Sequence, residues 1–504
     1  MERVCRQRPW VLGLGLAFAF LACVAPSLER SRLQEVDELM YARVAQDAGW
    51  RGQVWPLRLD GRTFYEKPPL LIWLAAAAVE LSGQPRAAWP YRLWPCLGAA
   101  LAVGSLAAIG VLAGDPLAGI LAALILALQG DFLFHARFFT FDTLFLGCVL
   151  ASLGLALRAV ERDETKNWAA AGVALAGAAA FKSWFVLALA PAFTVALWAA
   201  LPPGRRLRPA LALALPALGA LAAWVSLYVF WEGWAFLGEE WSVNLVGRAL
   251  GAVNERDPQG HAAYYLKWAA QAAPALLPWA GMAVGGLMPA RFGSGDSGAQ
   301  RRRIFSGFWV WTLAASWLAG LALVRAETIN YLLPLEAALA LAIAFSWREW
   351  ARSWTGAAAL ALSTFSALEG SLGANGALFL ALSGLALGMV WRLSSQTVPE
   401  RKSKWAVLCA GLALLLVGAL GVRDYRLLER PLDANADLAK KLEDHPARWS
   451  GERLEAFGRP TQAVDFYSDY RVHWNADLPG RRPVSACLVR SKEGWDFFGP
   501  LGKP

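Results

Sequence analysis

Long apolar runs, separated by short polar and basic segments, recur along most of the chain. A helix that crosses a bilayer needs roughly 17 to 25 mostly apolar residues. By this criterion the pattern predicts about thirteen membrane-spanning helices. The predicted spans lie near residues 9–28, 91–113, 116–135, 141–160, 168–181, 183–201, 208–231, 263–288, 304–324, 331–347, 354–370, 373–391 and 405–422. The predicted fold class is therefore an all-α polytopic membrane protein.

One apolar segment, residues 68–83, is too short for a full crossing because Glu80 and Gly83 interrupt it. If this segment crossed, the basic clusters of the later loops would lie opposite the basic N-terminus, against the preference of short basic loops for the cytoplasm. We therefore interpret it as an interfacial or re-entrant helix. The first external loop then runs from about 29 to 90, and we expect amphipathic juxtamembrane helices within it.

The tail of the chain, residues 423–504, is richer in charged and turn-forming residues than the part before it. Its polarity predicts a helix over 432–442, and its apolar runs predict three strands. The predicted strands are 453–457, 463–467 and 484–489. We expect a small soluble C-terminal α/β domain over 423–504, following a transmembrane domain over 1–422. An odd number of spans places that domain on the external side.

The composition supports a membrane protein, since 57% of the residues are hydrophobic, 17% are charged and the mean hydropathy is +0.38. The net charge of +9 does not require nucleic acid, because the basic residues lie in short loops between spans, where topology and anionic lipid account for them. The first apolar run follows basic residues, as a signal peptide does, but the later spans favour an uncleaved helix with a cytoplasmic N-terminus.

Metal-binding and disulfide patterns are absent from the sequence. Its six cysteines and four histidines are scattered, and no Cys-x-x-Cys pair occurs. The sequence requires no cofactor. A divalent cation, if one binds, would rest mainly on carboxylates.

Two charged motifs stand in the first external loop. One contains Asp37, Glu38 and Tyr41 just beyond the first span, and the other places Glu66 and Lys67 before a proline pair and an apolar run. Charged residues at a membrane edge commonly have a function. A second interpretation stays open on the residues alone: the two acids cap an interfacial helix, and Lys67 snorkels to lipid headgroups.

A further acid, Asp142, begins a later span after Arg137. If these groups share one external cavity, a carboxylate could deprotonate an attacking hydroxyl or amine while a cation stabilises a departing phosphate. A lipid-linked donor suits such a site, because its polyprenyl chain can lie in the bilayer while its phosphate and sugar reach the loop.

The two loop motifs and the later acid resemble the glycosyltransferase-C superfamily. The matching elements are, in order, Asp37-Glu38-Leu39-Met40-Tyr41, Glu66-Lys67-Pro68-Pro69 and Asp142. More narrowly, they resemble the lipid A aminoarabinose transferase and protein O-mannosyltransferase branch, which includes dolichyl-phosphate-mannose-protein mannosyltransferases. The resemblance covers roughly residues 10–345, and its specific part is the first loop.

This resemblance implies an inverting membrane glycosyltransferase that uses a polyprenyl-phosphate-linked hexose or pentose. The implied acceptor is a hydroxyl or amine of lipid A, a protein or an envelope glycan on the external face. The implied location is the bacterial inner membrane, with a periplasmic C-terminal domain. The implied partners are the lipid-linked donor, the acceptor and membrane lipids, and no nucleic acid.

The resemblance also assigns roles to residues. It makes Asp37 the catalytic base and Asp142 a second catalytic acidic residue near it, while Lys67 contacts the donor phosphate. Glu66 would orient Lys67, and Arg137 would add positive charge. The substrate-binding residues that it implies are Glu38, Tyr41, Glu66, Lys67, Arg137, Arg248, His261 and Tyr331.

The sequence departs from the family pattern in three places, two of them single residues and one a residue pair. Asn244 stands where the aminoarabinose branch commonly has histidine, and Arg325 stands where lysine is commoner, so the sugar and the acceptor stay open. Lys182 resembles the lysine of a family Thr-Lys-Gly-Pro segment, but Ser183-Trp184 replace Gly-Pro. A lysine that snorkels at the interface is an equally good interpretation of Lys182.

Two other classes of function compete with the transferase. A transporter or lipid-handling carrier would bind and move its substrate without bond chemistry. The sequence has no obvious repeated halves and a charged first loop that is elaborate for a connector, which both count against a transporter. An inactive scaffold is the third class, and the presence of Asp37, Lys67 and Asp142 counts against it.

Overall fold

The computed structural model describes most of the N-terminal half of the chain and separate segments beyond it. The described residues are 9–29, 31–33, 37–49, 52–59, 62–127, 129–162, 164–239, 298–323 and 329–345, together with four strands between residues 453 and 498. The statements below concern these residues. Four predicted spans, 263–288, 354–370, 373–391 and 405–422, lie outside them.

The first part of the described chain alternates long helices with a short loop subdomain. Its elements are α1 (Pro9–Val24), α2 (Asp37–Gly49), β1 (Arg58–Leu59), β2 (Arg62–Thr63), α3 (Leu70–Ser82), α4 (Trp89–Leu112), α5 (Pro116–Ala127), α6 (Gly130–His135) and α7 (Asp142–Arg162). Helix α4 is central, because α1, α5 and α7 all pack against it.

The second part completes the helical bundle. Its elements are α8 (Thr165–Lys182), a 3-10 helix (Ser183–Leu189), α9 (Ala190–Ala200), α10 (Leu207–Glu232), α11 (Ala235–Glu239), α12 (Gly298–Leu323), a 3-10 turn (Ile329–Leu332) and α13 (Leu333–Phe345). Helix α8 packs between α7 and α10, while α12 packs against α9 and α13. Helix α13 also packs against α5, so the last described helices return to the first ones.

Small residues allow the central helices to approach closely, as is usual between helices in a membrane. At the contact of α4 with α7, a Cβ on Gly98 would lie 2.5 Å from the backbone nitrogen of Leu144. At the contact of α8 with α10, a Cβ on Gly172 would lie 1.9 Å from the carbonyl oxygen of Ala212. Glycine at these two positions therefore sets the distance between the backbones, and Gly98 does so beside the start of α7.

Five helical segments of the described chain are long and apolar enough to cross a membrane. They are Pro9–Ser27, Trp89–Leu112, Asp142–Arg162, Thr165–Ala200 and Pro203–Glu232. Shorter apolar helices accompany them, including α5 and α13. The prediction of a mostly helical membrane domain is confirmed.

The predicted span 116–135 is wrong as a single helix. Helix α5 ends at Ala127, and Gln129 has an extended backbone with φ −67° and ψ 127° before α6 begins at Gly130. Two short helices result, because an extended residue interrupts the helical hydrogen bonding.

The first loop contains the expected short helices. Segment 68–83 forms α3, which has 13 residues and ends at Gly83 with a left-handed φ of 64°. At 1.5 Å per residue this helix is about 20 Å long, shorter than the ~30 Å hydrocarbon core. It packs against α2, as an interfacial helix pair would. The hairpin of β1 and β2 between them was not predicted.

Four strands near the C-terminus form one sheet. They are β3 (Arg453–Phe457), β4 (Arg471–Asn475), β5 (Ala486–Arg490) and β6 (Trp495–Phe498), in the order β4-β3-β5-β6. β3 is parallel to both β4 and β5, while β5 and β6 are antiparallel. Strands were predicted near β3 and β5 but not at β4 and β6, and the predicted elements 432–442 and 463–467 lie outside the described residues.

Candidate functional site

Helix α2 begins at the first charged motif, and the side chains of that motif lie on different faces of the helix. Asp37 and Glu38 occupy its first turn, where negative charge favours the helix dipole. Asp37 and Tyr41 are four residues apart, so they share one face of the helix. Asp37 is half-buried, whereas the side chain of Glu38 is 0% exposed.

Arg92 of α4 binds both carboxylate oxygens of Glu38. Arg92 Nε donates to Glu38 Oε1 at 2.7 Å, and Nη2 donates to Oε2 at 2.9 Å. The Arg92 side chain is 3% exposed. A paired, two-point contact of this kind is among the stronger hydrogen-bonding arrangements in proteins.

Arg92 also fixes the chain that leads into α2. Its Nη1 donates to the carbonyl oxygens of Leu28 and Ser31 at 3.0 and 2.7 Å, and its Nη2 donates to the carbonyl oxygen of Arg32 at 3.0 Å. On the other side, the backbone N–H of Phe139 donates to Glu38 Oε1 at 3.0 Å. The Glu38–Arg92 pair therefore holds the start of α2 against both α4 and the connection that precedes Asp142.

Arg92 was missed at the level of sequence. The sequence does carry a signal for it, because Arg92 is a charged residue near the start of an otherwise apolar predicted span. Such residues usually pair with an opposite charge and mark a functional region.

Tyr41 lies between the two remaining acidic segments. Its ring makes edge contacts with Phe64 at 6.0 Å and with Phe141 at 4.9 Å between centroids. Phe64 lies two residues before Glu66, and Phe141 directly precedes Asp142. Tyr41 is 5% exposed, so these contacts form in the interior.

Groups from several parts of the chain contribute to the electrostatic environment of Tyr41. Burial raises the pKa of the Tyr41 hydroxyl well above its ordinary value, and electrostatic interactions with four neighbouring groups raise it further. These groups are Asp37, Glu66, Tyr331 and Asp142. Three predicted acidic residues from distant parts of the chain therefore contribute to the electrostatic field at this hydroxyl.

Glu66 and Lys67 lie in a bend between β2 and α3, and both are half-buried. Lys67 Nζ donates to the backbone carbonyl oxygen of Glu66 at 3.2 Å. An ammonium group carries three donors, so this contact leaves Lys67 with donors for an anion.

Asp142 starts α7 and forms a buried ion pair with Lys182, the last residue of α8. Aromatic rings surround the Lys182 ammonium. Its Nζ lies 4.4 Å from the ring centroid of Tyr331, 4.7 Å from that of Phe185 and 5.9 Å from that of Phe145. The ammonium therefore has both an ionic partner and cation–π contacts. Lys182 joins two predicted site residues, Asp142 and Tyr331.

The chain bends sharply directly after Lys182. Ser183 has φ 45° and ψ −124°, in the positive-φ range that favours glycine. The bend ends α8 and begins the 3-10 helix that carries Phe185. The position where the family pattern has glycine thus keeps a conformation suited to glycine, although serine occupies it.

Arg137 lies in the turn between α6 and α7 and is 3% exposed. Its Nε donates to the carbonyl oxygen of Leu133 at 3.1 Å. The same connection contains Phe139, whose backbone N–H donates to Glu38. Arg137 therefore lies in the connection that contacts the Glu38–Arg92 pair.

The structure brings most of the predicted site residues into one region, and two of them lie outside the described chain. Those two are Arg248 and His261. Among the described residues, no group of three or more histidine, cysteine, aspartate or glutamate side chains is arranged to hold a metal ion. What the region offers is a set of carboxylates, two lysines and a neutral tyrosine hydroxyl.

The sequence and the fold both match known glycosyltransferases. Residues 66–231 match the family described as dolichyl-phosphate-mannose-protein mannosyltransferase. The fold matches ArnT from Cupriavidus metallidurans, solved bound to undecaprenyl phosphate and in the apo state, with a TM-score of 0.67 and 18% identity over 96% of this chain and 93% of that chain. No curated protein matches the sequence.

A second solved structure shares the fold over a larger protein. It is the archaeal oligosaccharyltransferase AglB from Archaeoglobus fulgidus, solved with an inhibitory peptide and a dolichol-phosphate. The TM-score is 0.51 and the identity 13%, over 94% of this chain and 65% of that chain. These matches confirm the resemblance to the glycosyltransferase-C superfamily, and with the apolar helices they make the chain a multi-pass membrane protein.

Proposed function

We propose that this protein is an integral-membrane glycosyltransferase that moves a sugar from a polyprenyl-phosphate-linked donor to a hydroxyl or amine acceptor. The observation that carries the proposal is the packing of Tyr41, one helical turn after Asp37, against Phe64 and Phe141, which brings the Glu66–Lys67 segment and the start of α7 at Asp142 to the same place. The family match and the undecaprenyl phosphate bound by ArnT support a lipid-linked donor.

Asp37 is the proposed catalytic base. It removes the proton from the attacking hydroxyl or amine, whose oxygen or nitrogen forms a bond to the anomeric carbon. The bond from that carbon to the phosphate oxygen breaks, and the oxygen leaves with the electron pair as polyprenyl phosphate. Attack opposite the leaving group inverts the configuration, and a positioned general base typically contributes about 10²–10⁴ to the rate.

Lys67 is the proposed binding group for the leaving phosphate. Its free donors can form charge-assisted hydrogen bonds, which strengthen as negative charge collects on the departing oxygen. Glu66 keeps the lysine oriented through the backbone contact and its own charge. Arg137 and Arg248 are proposed to add positive charge, and His261 is proposed to contact the substrate.

Glu38 and Asp142 are proposed to act on the groups beside them. Both oxygens of Glu38 are bound by Arg92, which supports a role in fixing the neighbouring Asp37. Asp142 is ion-paired with Lys182, which supports an electrostatic and orienting part in catalysis rather than a second proton acceptor. Tyr331 closes this side of the site through its ring contact with Lys182, and Tyr41 offers its neutral hydroxyl to the substrate.

The arrangement of the chain in the membrane is also part of the proposal. About thirteen spans over 1–422 would leave the N-terminus in the cytoplasm and the 423–504 α/β domain in the periplasm of a bacterial inner membrane. The parallel pairing of β3 with β4 and β5 supports an α/β domain, because parallel strands require long crossover connections.

The transferred sugar is proposed to be a hexose or pentose, and the acceptor to be lipid A, a protein or another envelope glycan. Among the site carboxylates, Glu38 and Asp142 are ion-paired with Arg92 and Lys182, which supports a mechanism whose charge stabilisation comes from lysine and arginine. A divalent cation held by acidic residues is compatible with this chemistry and is not required by it.

The test is transfer of radiolabelled sugar from a panel of polyprenyl-phosphate donors to isolated bacterial membranes by the purified protein. The proposal predicts that label leaves the lipid donor, appears on an acceptor and is accompanied by free polyprenyl phosphate. Accumulation of intact donor in sealed vesicles, without any labelled product from any donor, would instead identify a carrier.

A further inference from the structure

The segment that carries Lys67 is anchored by the end of helix α10. The hydroxyl of Tyr228 donates to the carbonyl oxygen of Phe64 at 2.7 Å, and Tyr228 is 0% exposed. Phe64 lies three residues before Lys67. The anchor and the lysine therefore belong to one short stretch of backbone.

Both backbone polar groups of Phe64 are used. Its N–H donates to the carbonyl oxygen of Leu57 at 2.8 Å, while its carbonyl oxygen accepts from Tyr228. A second contact to α10 lies one residue earlier, where Thr63 Oγ1 donates to Glu232 Oε1 at 2.5 Å. These bonds fix the direction in which the chain leaves β2.

Aromatic rings reinforce the anchor. The ring of Tyr228 lies 4.9 Å from Trp55 of the first loop and stacks on Phe236 of α11 at 5.1 Å. Phe236 in turn contacts Tyr65 at 5.6 Å, with the rings edge to face. We call Trp55, Tyr65, Tyr228 and Phe236 the aromatic anchor. It holds Tyr65, the residue before Glu66, on the same support as Phe64.

We propose that Tyr228 is a positioning residue for donor binding, because its hydroxyl fixes the backbone from which Lys67 reaches the donor phosphate. This inference rests on the proposed function of Lys67. It adds α10 to the donor site, although α10 carries none of the residues assigned to that site above.

The dependence of Lys67 on its backbone follows from its contacts. Within the described residues, the hydrogen bond of the Lys67 ammonium is to the carbonyl oxygen of its own neighbour, Glu66. That bond moves with the segment and cannot fix it. On the far side, Pro68 and Pro69 stiffen the chain. The Tyr228 bond holds the near side, so its loss lowers the fraction of molecules that present Lys67 correctly and weakens donor binding by that factor.

The test compares two buried tyrosines whose hydroxyls each donate a hydrogen bond to a backbone carbonyl oxygen. Tyr228→Phe removes the hydroxyl and keeps the ring contacts of the aromatic anchor. The matched control is Tyr91→Phe, because Tyr91 is also 0% exposed and donates to a backbone carbonyl oxygen, that of Pro85, at 2.7 Å. Each variant loses one hydrogen bond from a tyrosine hydroxyl to a backbone carbonyl oxygen, so the two should lose similar thermal stability.

The two variants should differ in donor KM. For Tyr228→Phe we expect the donor KM to rise about fivefold with kcat changed less than about twofold, the size expected from one neutral hydrogen bond. For Tyr91→Phe we expect the donor KM to stay at the wild-type value. Hydrogen exchange of the Phe64 amide, measured without substrate, should speed up in Tyr228→Phe and stay unchanged in Tyr91→Phe.

The outcomes separate this inference from the function on which it rests. An active wild type with the same donor KM in all three proteins overturns the role of Tyr228, as does faster exchange of the Phe64 amide without any change in donor KM. A wild type that transfers no sugar from any donor overturns the glycosyltransferase proposal instead. A fall in kcat and stability of equal size in both variants would identify Tyr228 as structural only.

Discussion

The residues around Asp37 and the residues around Lys67 meet at the same site but are held by different kinds of contact. On the base side, Glu38 next to Asp37 shares two charged hydrogen bonds with Arg92, and both side chains are almost fully buried. On the phosphate side, a neutral tyrosine hydroxyl and aromatic rings hold Phe64 and its neighbours. The base side is fixed by a buried ion pair, while the phosphate side is fixed by a neutral tyrosine hydroxyl, aromatic contacts and one exposed hydrogen bond from Thr63 to the Glu232 carboxylate.

This difference has a physical consequence for each side. A hydrogen bond to a charged group contributes about 1.5–3 kcal/mol and a neutral one about 0.5–1.5 kcal/mol. We therefore expect the start of α2, which carries the base, to be held more firmly than the phosphate-binding segment. A fixed base suits a reaction in which small misplacements are costly, while a more adjustable segment suits a donor that enters from the bilayer and leaves as polyprenyl phosphate.

Breaking the Glu38–Arg92 pair should have the largest effect. Arg92→Ala leaves the Glu38 carboxylate buried without its cation, and we expect a loss of about 3–5 kcal/mol of stability. Turnover should fall about a hundredfold, because Asp37 loses its fixed position. Thermal unfolding in detergent and the transfer assay measure the two effects.

The double variant Arg92→Leu/Glu38→Leu serves as the control for the charge argument. It leaves no unpaired charge, so it should lose less stability than Arg92→Ala alone. A double variant that is no more stable than Arg92→Ala would contradict the argument.

Removing the second buried cation should come next. Lys182→Met takes away the cation that neutralises Asp142 and keeps an apolar side chain among the rings of Phe185 and Tyr331. We expect a stability loss of about 3 kcal/mol together with a loss of activity. Unfolding curves of Lys182→Met and of Lys182→Met/Asp142→Leu test the predicted loss of stability. The double variant should recover part of that stability, because it leaves no unpaired carboxylate. Wild-type stability and turnover in Lys182→Met would show that the pair has no role.

A change on the phosphate side should act on binding and leave stability almost intact. Lys67→Ala removes the ammonium that we assign to the donor phosphate, so the Kd for polyprenyl phosphate should rise about ten- to a hundredfold. Lys67→Arg should retain part of the affinity. The control is Lys166→Ala, because the Lys166 side chain is 77% exposed beside Glu164 and outside the site. Equal Kd values for both alanine variants, measured by binding to lipid nanodiscs, would contradict the assignment.

The smallest effect should come from the hydroxyl between the two sides. The folded protein raises the pKa of Tyr41, so it binds that proton more tightly than the unfolded chain does. Stability should therefore fall as the pH rises above about 10, the ordinary tyrosine pKa. Tyr41→Phe should cost about 1 kcal/mol at pH 8 and lack this alkaline loss. Thermal unfolding from pH 8 to 11 tests it, and parallel curves for both proteins would refute it.

Sequence patterns predicted the parts of this account that depend on local composition. Apolar length predicted most of the described helices, and the charged motifs predicted Asp37, Lys67 and Asp142 as site residues, whose roles stay predictions. The ion pair between Glu38 and Arg92 was not predicted, because the two residues are 54 residues apart and local patterns do not relate them. The predicted helix 116–135 was wrong because apolar composition does not reveal the extended backbone at Gln129. The role of Lys182 stayed ambiguous because Ser183 and Trp184 follow it in place of Gly-Pro. The sequence therefore did not indicate that Ser183 adopts a conformation that glycine normally adopts.

The most direct test of the central claim separates donor binding from sugar transfer in Asp37→Asn. Wild type, Asp37→Asn and the control Asp115→Asn, whose new side chain can still cap the start of α5, are compared for polyprenyl-phosphate binding and for single-turnover transfer of labelled sugar. We predict that all three bind the lipid phosphate equally, while Asp37→Asn transfers at least about a hundredfold more slowly. Transfer by Asp37→Asn at the wild-type rate would contradict the assignment of Asp37 as the catalytic base.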